Sequence, residues 1–192
     1  MKSQMQRRIS AFVLAAGLML PTASIAATWK INPAESLIGF SDTQTGTEFT
    51  GHFNEFTAKV VFSAHSPAAG HARVVIDTCS ARAGNAQRDA AMPGPDWFSC
   101  KLFPRAVFTA NHFKALGGDK FAAIGTLSLR NVTKPLTLPF TYTEHGGQAD
   151  IAGQVTLKRT DFGVGQGAWA NDSWVGLDVL VTIRLTATKA AP

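Results

Sequence analysis

Apolar and polar positions alternate with a period of two along most of the chain. Leu136, Leu138, Phe140 and Tyr142 alternate with Thr137, Pro139, Thr141 and Thr143. Ile151, Gly153, Val155 and Leu157 do the same, as do Val175, Leu177, Val179, Val181, Ile183 and Leu185. Ala72, Val74 and Ile76 form a shorter face, and Phe121, Ala123, Leu127 and Leu129 another. Side chains on a strand point to opposite sides in turn, so each pattern predicts a strand with one apolar face. From Glu48 to Phe62 the phase changes: Phe49 and Phe53 share one parity, Phe56, Val60 and Phe62 the other. A one-residue slip would turn the second group outward, which predicts a bulge or bend near Asn54-Glu55. Turn formers separate the strands at Ser66-Pro67, Gly117-Gly118-Asp119, His145-Gly146-Gly147 and Gly163 to Gly167. Only Asn85 to Met92, rich in Ala and followed by Pro93-Gly94-Pro95, predicts a short helix. About eight antiparallel strands with one helical interruption predict an all-β barrel or sandwich, and the long C-terminal strand favours the barrel because closure leaves no edge.

Composition agrees with one globular domain. The chain has 192 residues, 45% of them hydrophobic and 16% charged, which excludes disorder. Lys2, Arg7 and Arg8 precede the apolar run Ile9 to Leu20, and Ser24-Ile25-Ala26 follows Pro21. That layout predicts a secretory signal peptide over residues 1–26, cleaved near Ala26, and a mature domain over 27–192 in the periplasm. The apolar run is too short to cross a hydrocarbon core of roughly 30 Å as a helix. Removing those three residues from the 18 basic ones leaves 15 against 13 acidic, a net of +2. No basic stripe remains, so nucleic acid is not an expected partner.

The chemistry-bearing residues are sparse. His52, His65, His71, His112 and His145 have no metal-binding spacing, and no G-x-S-x-G elbow is present. Gly163-Val164-Gly165-Gln166-Gly167 resembles a phosphate loop only superficially, since no Lys follows it. No catalytic, metal or cofactor site is expected. Cys79 and Cys100 bracket the helical segment. An exported chain favours a disulfide between them; two free thiols are the other reading, and no C-x-x-C supports a redox pair.

The mature chain resembles the YceI-like family of exported lipid-binding proteins along nearly its whole length. Trp29-Lys30-Ile31-Asn32-Pro33 with Ser36, Ile38 and Phe40 is similar to that family's opening strands. Gly51-His52-Phe53-Asn54-Glu55-Phe56 follows its G-x-F-x-x-F element, and Val74-Val75-Ile76-Asp77 its V-x-I-D segment. Arg88-Asp89, Asp96-Trp97-Phe98 and Phe103-Pro104 with Phe108 follow its helical insertion. Gly125 to Pro135 follows G-x-L-T-x-x-G-V-T-x-P, and Arg159-Thr160-Asp161-Phe162-Gly163 with Trp169 follows R-x-x-F-G. Asn131 stands where the family has Gly, and Ser99 where it has Asp.

The resemblance implies a lipocalin-like barrel of eight antiparallel strands whose interior holds a long apolar ligand: a polyisoprenoid, an isoprenoid quinone or a fatty-acyl amide. The alternation alone shows no cavity, because simple packing produces the same pattern. Small residues on inward positions (Ala72, Ala106, Ala110, Ala123, Gly125 and Gly153) favour open space. The expected barrel lining is Phe40, Phe49, Phe53, Val74, Ile76, Phe108, Phe121, Leu127, Leu129, Phe140, Tyr142 and Val179, with Trp97 and Phe98 at the mouth. Each buried methylene contributes roughly 0.8 kcal/mol, so a long chain needs no ionic anchor. A homodimer and an inner-membrane partner are left open by the resemblance. Two other functions remain: a filled barrel serving as an interaction module beside a membrane redox protein, and an enzyme on a similar lipid, for which Glu55 or Lys59 would be the inward ionisable candidates if the bulge lay elsewhere than at Asn54-Glu55.

Overall fold

A computed structural model describes residues 26–191. The expected signal segment therefore lies, but for Ala26, outside the described residues. The strands are β1 (Ala27–Ile31), β2 (Leu37–Gln44), β3 (Thr47–Phe53), β4 (Phe56–Phe62), β5 (His71–Asp77) and β6 (Ala81–Arg82). A short helix α1 (Ala86–Ala91) follows, then β7 (Arg105–Gly117), β8 (Lys120–Leu129), β9 (Val132–His145), β10 (Gln148–Lys158) and β11 (Asp178–Lys189).

These eleven segments build the eight walls of a closed antiparallel barrel. β1 and β2 are one wall interrupted at Pro33–Glu35, and both pair with β11. β3 and β4 are a second wall, with the predicted phase change falling in the break at Asn54-Glu55. There the Asn54 N–H donates to Ser80 O (3.2 Å) and the Glu55 N–H to Ser80 Oγ (3.1 Å). β5 and β6 form the third wall, since β5 pairs with β4 and β6 with β3. The remaining five strands follow in chain order until β11 meets β1.

Three hairpins turn on two residues with positive φ, the geometry that matches strand twist. At Arg130-Asn131 the angles are 48° and 65°. Asparagine tolerates this left-handed region, so Asn131 serves where the family pattern has Gly. Asn85 caps α1 by accepting from the Gln87 and Arg88 N–H groups (3.0 and 3.1 Å).

The pattern did not foretell an irregularity in β7. Its register against β8 shifts between Ala110 and His112. Ala106, Phe108 and Ala110 face inward before the shift, and Phe113, of opposite parity, is buried after it. Gly125 and Gly153 also differ from expectation. A Cβ on Gly125 would overlap Thr109 O of β7, and one on Gly153 would lie 2.7 Å from Pro139 O. Both are sites of close backbone approach and open no space in the barrel.

Candidate functional site

The two ends of the barrel differ. At the end where β4 stops and β8 starts, Trp29, Phe62, Phe113, Phe121, Phe140 and Tyr142 are all buried. Phe62 sits edge-on to Phe113, Phe121, Phe140 and Tyr142, with centroids 4.9–5.8 Å apart. Trp29 Nε1–H donates to Phe62 O (3.1 Å), so its one polar group is satisfied. Aromatic rings at these separations fill the bore.

Beyond that plug the interior opens into a cavity of about 300 Å³. Its presence shows in the walls. Ile151, Val155 and Leu157 of β10 and Val179, Val181 and Ile183 of β11 line it, yet these inward residues are only half-buried. Ala72, Ala106 and Ala123 line it as well; Ala110 does not, and is buried beside its cross-strand partner Gly125 of β8.

Thirteen of the fourteen expected lining residues reach the cavity: Phe40, Phe49, Phe53, Val74, Ile76, Trp97, Phe98, Phe108, Leu127, Leu129, Phe140, Tyr142 and Val179. Phe121 does not. It stacks on Phe140 within the aromatic plug (5.8 Å, 28° between planes), because it lies one residue into β8 at the closed end. Glu55 and Lys59 are exposed, Lys59 because it shares the outward parity of β4, so neither is an interior acid or base.

A cap covers the other end. It consists of the insertion between β5 and β7 and the loop between β10 and β11. The insertion is tied at its base by the Cys79–Cys100 disulfide (Cα–Cα 5.3 Å) and by Thr78 Oγ1–H donating to Phe103 O (2.7 Å). The Gly165 and Gln166 N–H groups both donate to Asp96 O (2.7 and 2.8 Å), joining loop to insertion. Trp97 packs on Trp169 with centroids 5.5 Å apart.

Arg159 organises this cap. Its side chain is 4% exposed. Nε–H donates to Gly176 O (2.6 Å), Nη1 to Val164 O (3.0 Å), and Nη2 to Asn171 O and Val175 O (2.9 and 3.0 Å). A Cβ on Gly165 would strike this guanidinium, and Gly165 also holds φ +78°. The glycine run from Gly163 is thus the socket of an arginine, not a phosphate loop. Burial holds the Arg159 pKa below its usual range, opposed by the Asp42 charge.

The polar residues of the lining gather near the cap. Asp42 and Gln44 continue the inward parity of Ile38 and Phe40, and Gln87 and Arg88 enter from α1. Asp42 is 8% exposed and accepts from the Thr43 N–H (2.7 Å). Burial raises its pKa, and that hydrogen bond and Arg159 oppose the rise. The pattern pointed to this group only through parity: two polar residues close an apolar inward face. Of the lining among the described residues, only Gln87 and Ala91 are exposed, so the cavity meets solvent beside α1.

Comparison with known proteins agrees with this geometry. A model of the YceI-like domain matches residues 29–187. A UPF0312 protein of Shewanella denitrificans is 33% identical, over 92% of this chain and 97% of that one. The crystal structure of BcnA from Burkholderia cenocepacia superposes with a TM-score of 0.80 at 30% identity, covering 83% of this chain and 100% of that one. A polyisoprenoid-binding domain from Saccharophagus degradans shares the fold, with a TM-score of 0.67 at 18% identity over 86% of this chain and 99% of its own.

Proposed function

The chain belongs to the YceI-like family, and from that premise we propose that it is an exported carrier that sequesters the apolar tail of a long-chain lipid inside its barrel. The ligand classes it suits are a polyisoprenoid, an isoprenoid quinone or a fatty-acyl amide. The compartment is the periplasm, on the strength of the leader-like residues 1–26. The role is transport without covalent chemistry, and the lipid is cargo, so no cofactor is invoked.

The observation that carries this reading is the row of inward aliphatic residues left half-buried around a void that opens beside α1. Protein interiors are normally filled to crystal-like density. A void of this size lined by aliphatic and aromatic groups is stable as a dry receptor for hydrocarbon. At about 30 Å³ per water-sized unit, it takes on the order of ten methylene-sized groups. Burying these would gross about 8 kcal/mol, against an ordering cost of several kcal/mol. A tail alone therefore binds weakly, and a contact to the lipid's head would be felt strongly.

The test is native mass spectrometry of protein purified from its own host, with extraction and identification of any bound lipid. A co-purifying prenyl or fatty-acyl species is the expected result. Protein that is reproducibly empty, and that takes up neither prenols nor fatty amides after purification, would overturn the reading.

A further inference from the structure

We infer that Arg88 is a head-group receptor at the mouth of the cavity, and that the ligand carries a hydrogen-bond-accepting head, anionic or carbonyl-bearing, rather than a cationic or purely hydrocarbon one. The inference rests on the carrier reading above and narrows it. Its basis is a mismatch in Arg88's surroundings. Nη1 donates to Gln44 Oε1 (3.0 Å) and Nη2 approaches Ala83 O (3.5 Å). The guanidinium lies over the Phe49 ring, 4.6 Å from its centroid. Nε–H, however, is buried and has no partner. A buried donor without an acceptor is rare in folded proteins and calls for an explanation.

Charge makes the same point. The ion pairs among the described residues are Lys134 with Asp161 and Lys189 with Glu144. Arg88 is in neither, although it lines an almost wholly apolar cavity. Neighbouring Asp89 is committed elsewhere, accepting from the Ala83 N–H (2.6 Å). A guanidinium held flat by a ring and by Gln44 is a preformed fork for an oxygen acceptor. Gln87, exposed on the same helix and part of the same lining, offers a further amide at the entrance. A tail inserted toward the aromatic plug would leave its head beside this group.

The test displaces an apolar fluorophore, N-phenyl-1-naphthylamine, from the purified protein with four C12 compounds: dodecanoate, dodecanamide, dodecylammonium and dodecane. Dodecanoate and dodecanamide are expected to bind at least tenfold more tightly than the other two. Arg88→Met should erase that preference and leave dodecane unchanged. Gln44→Glu keeps Arg88 but gives it an internal carboxylate, and should lower dodecanoate affinity about tenfold, again sparing dodecane. Unchanged dodecane binding shows that each variant is folded; if Arg88→Met loses it, Gln44→Glu decides. If all four compounds bind the native protein alike, or the preference survives both variants, the head-group role is overturned while the carrier reading stands. If none displaces the fluorophore, both fall.

Discussion

The plugged end and the capped end of this barrel use aromatic residues for opposite purposes. At the plug, Phe62 meets its neighbours edge-on, Phe121 stacks on Phe140, and none is more than 8% exposed. Under the cap, Phe40, Phe49, Phe53, Trp97 and Phe98 are half-buried, and their free faces border the cavity. Both sets are mostly phenylalanine with a tryptophan, and both draw on inward positions of strands: Phe62, Phe121 and Phe140 at the plug, Phe40, Phe49 and Phe53 under the cap. The difference lies in how many rings converge. Where several inward aromatics meet from opposite walls the bore is filled. Where they meet aliphatic walls beneath a tethered cap it stays open. The plug therefore supplies stability, and the capped end supplies binding.

The sharpest way to break that contrast is to truncate one ring at each end. Phe62→Ala should destabilise the protein by about 3–5 kcal/mol in urea unfolding, because a filled site collapses poorly. Phe49→Ala should lose no more than about 1 kcal/mol, since its ring is partly free, yet weaken ligand uptake. Equal losses at both positions would mean that the two ends are packed alike.

The next largest effect is expected at the cap's base. Cys79→Ser opens a disulfide spanning 21 residues and should lower stability by roughly 3 kcal/mol by the chain-entropy estimate. Titration of unfolded, unreduced native protein should find no free thiol. Two reactive thiols would show that the cap is not tied.

The smallest effect concerns Asp42. Its carboxyl is buried beside the cavity and its pKa is raised above the unfolded value. The folded state then binds the extra proton, so this group's stabilising contribution is present at low pH and is lost as pH climbs past the ordinary aspartate range, about 3.9. Asp42→Asn should remove that loss, raising the Tm at pH 7 more than at pH 4. A larger gain at pH 4 would reverse the sign and refute the assignment.

Much of this was legible in the chain. Alternation in Leu136–Tyr142, Ile151–Leu157 and Val175–Leu185 specified three walls, because a sheet with one wet face must alternate. The cap was legible as a departure from alternation at Asn85–Met92, and the Cys79–Cys100 bridge follows from the two cysteines bracketing it. Phe113 was hidden because the register shift between Ala110 and His112 reverses its parity, and unlike the phase change at Asn54-Glu55 it was not read from the pattern. Phe121 was misplaced because alternation tells inside from outside but says nothing of depth along the bore. The mouth was least visible. Arg88 meets Gln44 across 44 residues of sequence, and it is the pairing of β6 with β3 that brings the following α1 against the β2–β3 hairpin.

The most direct measurement is of space itself. Val155 of β10 and its cross-strand partner Val181 of β11 both line the void. Val155→Trp should fill it. Native mass spectrometry of delipidated protein mixed with geranylgeraniol should show a one-to-one complex for the native chain and none for Val155→Trp, with the Tm of the variant unchanged or higher. If the tryptophan variant binds as well as the native chain, or the native chain never binds, the interior is not where the lipid resides.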